Sequence, residues 1–200
     1  MSTLTLKGFQ CHNLHPIDLV LPAGSCTTLT GPSGCGKTRL LRALADLDPH
    51  QGEVRLDDKA LAEIAPPQWR QQVGLLPAES HWWEDRVKGH FKAAADELLE
   101  SLALPPECME WSIQHISSGE RQRLALARLL SGLPRVLLLD EPTANLDQQN
   151  IHRVEAIIEF YLKLHNATVL WVSHDPAQRL RLGGRHLVIT DGGIEEELWN

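Results

Sequence analysis

Gly31-Pro32-Ser33-Gly34-Cys35-Gly36-Lys37-Thr38 is the most informative segment of this 200-residue chain. It fits G-x-x-x-x-G-K-[ST], a loop whose backbone N–H groups close around a phosphate. Gly31, Gly34 and Gly36 carry no Cβ, so the chain can curl and aim successive amides at one anion. Cys26-Thr27-Thr28-Leu29-Thr30 precedes the loop and reads as a short strand of apolar and β-branched residues. After it, from Arg39 to Ala45, Leu40, Leu41 and Leu44 recur at helical spacing. The loop therefore joins a strand to a helix, and the partial positive charge at the helix start adds to its pull on anions.

Upstream, Leu4-Thr5-Leu6 and Ile17–Leu21 alternate as strands do, with Pro22-Ala23-Gly24 a turn. Downstream, Glu53–Leu56 is a half-buried strand and Val73–Pro77 a buried one. From 78 to about 118 no apolar strand run occurs, and helical patterning is expected from Phe91 to Leu102. Ser117 and Glu120 then stand at capping-box spacing ahead of a helix carrying Leu124, Leu126, Ala127 and Leu130. Val136–Leu139 is uniformly apolar, as in a central parallel strand covered on both faces. An amphipathic helix carrying Ile151, Val154, Ile157, Ile158, Tyr161 and Leu162 follows. Thr168–Val172 and Leu187–Ile189 read as two more strands, and Asp191-Gly192-Gly193 as a tight turn. The expectation is one α/β domain over 1–200: a core of 1–77 and 119–200, mostly parallel sheet flanked by helices with an N-terminal antiparallel β part, interrupted by a short helical subdomain at 78–118.

Composition bounds the function. Apolar residues make up 42% and charged residues 22%, as in ordinary globular proteins. No run approaches the ~20 apolar residues of a membrane-spanning helix, and the N-terminus lacks the pattern of a secretory signal. Acids outnumber bases 26 to 19, for a net charge of −7, so no broad nucleic-acid surface is expected. Cys11, Cys26, Cys35 and Cys108 show no C-x-x-C spacing and read as reduced thiols rather than zinc ligands.

Two apolar strands end in chemistry. Val136–Leu139 runs into Asp140-Glu141-Pro142-Thr143, where open α/β sheets bind ligands. Asp140 suits Mg²⁺, and Glu141 is placed to polarise a water. Thr168–Val172 runs into Ser173-His174-Asp175, which puts His174 on the same rim as a sensor of the terminal phosphate.

The order of these motifs, with Ile116-Ser117-Ser118-Gly119-Glu120-Arg121-Gln122 between them and Ala144-Asn145-Leu146-Asp147 after Thr143, resembles an ATP-binding cassette (ABC) ATPase over nearly the whole chain. The resemblance implies a P-loop NTPase that binds ATP with Mg²⁺ and hydrolyses it. Gly31–Thr38 and Arg39 would hold the nucleotide, with Lys37 on the β- and γ-phosphates. Thr38 and Asp140 would hold the metal, and Glu141, His174 and Lys37 would serve catalysis. Ser117–Glu120 and Asp147 would close over the nucleotide of a second protomer in a head-to-tail homodimer. The implied partner is a transmembrane permease subunit, which would hold the chain at the cytoplasmic face of the cell membrane; no nucleic acid is expected. The C-terminal half looks most like small bacterial subunits of metal (iron) export. A soluble ABC ATPase of DNA repair or translation is the alternative, but its usual coiled-coil insertion, tandem cassette or basic segments are missing.

Departures from the family pattern stand out. Ser118 replaces the commoner Gly and Ile116 the commoner Leu. Ala78, with Glu79 beside it, occupies the usual position of a glutamine after the Val73–Pro77 strand. No clear aromatic stands near residues 10–15 to stack on adenine; His12 is the candidate, while Phe9 belongs to the strand core. Trp82-Trp83 either fills the small subdomain or faces the permease.

Overall fold

The computed structural model describes residues 2–92 and 95–197. The N-terminal strand β1 (Leu4–Gln10) pairs antiparallel with β2 (Ile17–Leu21) and, on its other edge, with β4 (Gln51–Leu56), which carries the two-residue β5 (Lys59–Ala60). Between β2 and β4 the chain leaves this sheet to form β3 (Cys26–Thr30) and helix α1 (Lys37–Leu44). The register between β1 and β4 slips between Lys7 and Gln10. Gly52 sits at that slip with φ of +81°, where an added Cβ would lie 2.3 Å from the Gly8 carbonyl oxygen. Only glycine fits so close an approach.

The second sheet is the larger one. After α2 (Pro66–Gln72) come β6 (Val73–Leu76), α3 (Asp96–Ser101), α4 (Ser118–Ser131), β7 (Val136–Asp140), α5 (Gln148–His165), β8 (Thr168–Val172), α6 (Pro176–Leu182), β9 (Arg185–Thr190) and β10 (Gly193–Glu196). Its strand order is β10-β9-β3-β8-β7-β6, parallel throughout except for the terminal β9–β10 hairpin. Asp191 and Gly192 both take positive φ and close that hairpin with a two-residue turn.

Both faces of this sheet are covered, which is why Val136–Leu139 of β7 and Val169–Val172 of β8 are continuous apolar runs. Val136, Leu138, Leu170 and Val172 join the antiparallel sheet, α1 and Trp69 in one buried cluster. Leu137, Leu139, Val169 and Trp171 join α4, α5 and the apolar residues of 95–116 in a second.

The segment 78–118 differs from the expected helix over Phe91–Leu102. Its described α-helix is α3 alone, six residues long, accompanied by 3₁₀ turns at Val87–His90, Pro106–Glu110 and Ile113–His115. Phe91 ends the first of these turns in extended conformation, and residues 93–94 lie outside the described ones. The segment is tied by non-local contacts. Arg86 bridges to Ser112, and Lys88 and Arg86 both ion-pair with Glu110.

A candidate nucleotide-binding and hydrolysis site

Three parallel strands deliver the site. In register, Leu29 of β3 lies beside Val172 of β8, and Val172 beside Asp140 of β7. The segments that follow, Gly31–Thr38, Ser173–Asp175 and Glu141–Thr143, thus leave the sheet at one level on its carboxyl rim. That is where open parallel sheets place ligands.

The glycine-rich loop closes on itself. Lys37 is buried, and its ammonium donates to the carbonyl oxygens of Gly31 at 2.8 Å and Pro32 at 2.9 Å. Gly31 has a φ of +151°, and an added Cβ there would meet the Cys35 Sγ at 2.9 Å and the Ile189 carbonyl at 3.0 Å. Gly36 begins α1 in the left-handed region, so the first amides of the helix open into the loop.

Thr38 Oγ1, one residue into α1, donates to Asp140 Oδ2 at 2.7 Å. Burial pushes the Asp140 carboxyl up from its ordinary value, more than the Thr38 hydrogen bond lowers it. A buried carboxylate beside a hydroxyl is a pair of hard oxygen donors of the kind Mg²⁺ takes, and a cation there would relieve the cost of burial. Glu141 Oε1 lies 3.3 Å from His174 Nε2. Lys37, Thr38, Asp140, Glu141 and His174 line one cavity of about 390 Å³, together with Ser33, Gly34, Gly36, Arg39 and His12. His12 is exposed at the mouth, with φ of +49°.

The remaining expected residues lie elsewhere. Ser117 caps α4: its hydroxyl accepts from the Glu120 amide at 3.3 Å, and Glu120 returns a carboxylate to the Ser117 amide at 2.9 Å. Hydrogen bonding from Ser117 holds the Glu120 carboxyl below its ordinary value. Asp147 caps α5 by accepting from the Asn150 amide at 2.9 Å. Ser117–Glu120 and Asp147 do not line the cavity of their own chain, and neither do Ala78 and Glu79.

The family described as "ABC transporter" matches residues 14–144. Over 195 residues the chain is 38% identical to the aliphatic sulfonates import ATP-binding protein SsuB 2 of Pseudomonas aeruginosa, covering 92% of this chain and 69% of that protein. The chain belongs to the ABC transporter ATP-binding family. It is 37% identical over 175 residues to the "Probable iron export ATP-binding protein FetA" of Escherichia coli K12, covering 81% of this chain and 78% of that one. The expected likeness to iron-export subunits thus stands beside an equal likeness to sulfonate-import subunits. Among solved structures, a bacterial Atm1-family ABC exporter with ATP bound superposes with a TM-score of 0.86 at 22% identity, over 98% of this chain and 38% of that one. That likeness concerns the fold. As an ABC ATP-binding subunit the chain is an ATPase that uses ATP with Mg²⁺ to power transport. The DNA-repair and translation alternative finds no support among these relatives.

Outside the cavity, Trp82 and Trp83 are held by residues far off in sequence. Trp82 is half-buried and packs against the α4–α5 cluster, whereas Trp83 is 69% exposed. Arg128, from α4, stacks its guanidinium 4.5 Å from the Trp82 ring and 5.3 Å from the Trp83 ring, and donates to the His81 carbonyl at 3.1 Å. His90 Nε2 accepts from the amides of Trp83 at 2.9 Å and Glu84 at 3.0 Å. No sequence motif joins Arg128 or His90 to the tryptophans. The helix that starts at Ser117 nonetheless runs directly to them.

Proposed function

We propose that two copies of the chain close head to tail around ATP. The Ser117–Glu120 helix start of each copy then faces the nucleotide held by Gly31–Thr38 and Arg39 of the other. The observation that carries this reading is the division of the motifs. One rim gathers Lys37, Thr38, Asp140, Glu141 and His174, whereas the capped start of α4 lies outside that cavity with Ser117 and Ser118 exposed. A second copy supplies the missing wall.

In this arrangement Thr38 Oγ1 and Asp140 would hold Mg²⁺, whose charge would offset that of the phosphates. Lys37 turns its ammonium from the loop carbonyls to phosphate oxygens. Glu141 takes a proton from the attacking water at its carboxylate, and His174, 3.3 Å away, orients that carboxylate and senses the terminal phosphate. Asp147 stands at the dimer seam. Closure drives a transmembrane permease subunit seated on the surface around Trp83, and this docking keeps the ATPase at the cytoplasmic face of the membrane. No described helix is long and apolar enough to cross a membrane, and a net charge of −7 supports a partner other than nucleic acid.

Glu141→Gln tests the reading. The variant should bind ATP as the wild type does, lose ~10²-fold or more in turnover, as expected for a missing general base, and accumulate as an ATP-dependent dimer in size-exclusion chromatography. Wild-type turnover in this variant would remove Glu141 from the chemistry.

A further inference from the structure

Glu141 and His174 are each exposed over nearly half their side-chain surface, at 40% and 46%. Their separation is therefore set by the two loops beneath them. Those loops are joined by one amide. Gln178, 3% exposed on α6, accepts from the Ser173 hydroxyl at 2.8 Å through Oε1. Through Nε2 it donates to Thr143 Oγ1 at 2.9 Å and to Glu155 Oε1 at 2.9 Å. Ser173 directly precedes His174, and its hydroxyl also accepts from the Asp175 amide at 3.1 Å, so His174 is fixed on both sides. Thr143 is two residues from Glu141, in a turn closed by the Ala144 amide on the Glu141 carbonyl at 3.0 Å. Glu155 is itself anchored by Arg181, which donates to its two oxygens at 3.1 and 2.8 Å.

We infer that Gln178 is a positioning residue for ATP hydrolysis, holding the loops of Glu141 and His174 at their working distance and referring both to α5 through Glu155. The geometry demands an amide. One end must accept from Ser173 while the other donates to both Thr143 and a carboxylate, and among the 20 side chains only Gln and Asn carry an acceptor and two donor protons on one group that stays uncharged at every pH. Asn is one methylene short of the span that Gln makes from α6. The inference rests on the reading of Glu141 and His174 as the hydrolytic pair.

A carboxylate in place of the amide gives a readout that mere packing would not. In Gln178→Glu the new group would sit against Glu155, a like charge within hydrogen-bond reach, which raises its pKa. The charged and titratable groups facing it are Glu155, the Arg181 guanidinium already paired with Glu155, and His152, whose Nδ1 is 3.3 Å from Glu155 Oε2. Ser173 and Thr143 contribute neutral hydroxyls. Protonated, the new carboxyl accepts from Ser173 and donates to Glu155 much as the amide does. Ionised, it repels Glu155 and the loops part. Activity of Gln178→Glu relative to wild type should therefore fall as pH rises.

The test uses the full chain and MgATP. Gln178→Leu should lose about tenfold or more in kcat while its affinity for a fluorescent ATP analogue stays within about threefold, since the glycine-rich loop is untouched. The ratio of Gln178→Glu to wild-type kcat should drop about tenfold between pH 6 and pH 9. Wild-type kcat in folded Gln178→Leu, or kcat and affinity falling together, would overturn the inference. So would a pH-independent ratio for Gln178→Glu, which alone decides the matter should Gln178→Leu fail to fold. The Glu141→Gln experiment keeps the two readings apart. If that variant turns over normally, the assignment of the pair has failed; if it is inactive while the Gln178 variants are normal, only the positioning role has.

Discussion

Replacing Trp82 and Trp83 singly by Ala should give opposite phenotypes. Trp82 packs on the α4–α5 cluster with Arg128 over its ring and His90 at its edge, centroids 4.8 Å apart. It buries roughly 200 Å² of a large aromatic side chain, worth ~5 kcal/mol as an upper bound at ~25 cal/mol per Å². Regained side-chain entropy returns ~1 kcal/mol. The Trp82 Nε1 is buried with no hydrogen-bond partner among the described residues, so its removal returns a further ~1 kcal/mol. Loss of the cation–π contact adds ~0.5–1 kcal/mol, for a net loss of up to about 4 kcal/mol. At ~2–4 °C per kcal/mol for a chain of this size, the melting temperature should fall by roughly 6–16 °C.

Trp83, at 69% exposure, buries only about 80 Å². After the same entropy return that leaves under ~1 kcal/mol, or less than about 3 °C. Its ring is available to a partner, so Trp83→Ala should leave the isolated ATPase folded and active yet unable to hold its permease. Differential scanning fluorimetry of the isolated subunit and co-purification with the membrane protein in detergent read the two effects. A larger melting shift for Trp83→Ala than for Trp82→Ala would refute the division, and so would undiminished assembly of the Trp83 variant.

Glu79 does not line the cavity, so Glu79→Ala should change the Mg²⁺ dependence of hydrolysis by less than about threefold; a tenfold loss of apparent affinity, ~1.4 kcal/mol, would make it a metal-sensing residue. The rings at the cavity are His12 and His174, neither a large stacking surface, so ATP and GTP should bind within about a hundredfold of each other, ~2.7 kcal/mol, in competition titrations; a wider gap would reveal a base-binding residue elsewhere. The Arg42 guanidinium, seconded by Arg39, holds the Asp48 carboxyl down at about 2 from the ordinary 3.8. A depressed acid stabilises the fold above its unfolded pKa and loses that contribution as pH falls through the folded one. Asp48→Asn should therefore melt below wild type at pH 7, with the gap closing between about pH 4 and pH 2; a gap constant over that range would refute the linkage.

What the sequence made legible was local. The Gly31–Thr38 loop, the Ser117–Glu120 box and the apolar Val136–Leu139 strand each carry their signal within a few consecutive residues, and each stands in the structure as read. What escaped was fixed by partners far along the chain. Helix α2 is seven residues of largely polar sequence that buries Trp69, whose indole N–H donates to the Leu44 carbonyl at 2.9 Å. A helix that short has no intrinsic stability to advertise, because nucleation outweighs so few hydrogen bonds. Strand β10 carries an Ile-Glu-Glu stretch that pairs only because the Asp191-Gly192 turn folds it onto β9. The helical pattern expected from Phe91 to Leu102 is met by α3 over Asp96–Ser101, whereas Phe91 is extended where the Val87–His90 turn ends. The Gln178 amide draws on three segments more than 20 residues apart from end to end, and no motif spans them.

The geometry of β7 explains why Asp140 and Glu141 can share one cavity at all. Along an extended strand, neighbouring side chains point to opposite faces. Val136 and Leu138 lie in the cluster with α1, and Leu137 and Leu139 in the cluster with α4. By that alternation Asp140 falls on the α1 side, where Thr38 meets it, and Glu141 would fall on the far side, away from the phosphate loop. It does not, because Glu141 leaves the strand with φ of +49°. The left-handed turn is pinned by the Glu141 amide donating to Val172 at 3.2 Å and by the Ala144 amide closing on the Glu141 carbonyl at 3.0 Å. For a residue with a Cβ that conformation costs ~1–2 kcal/mol. Glycine would adopt it freely, but glycine has no carboxylate. The strain is thus tied to having two acids, consecutive in sequence, line the same cavity, and the amide of Gln178 and the end of β8 hold the turn that makes this possible.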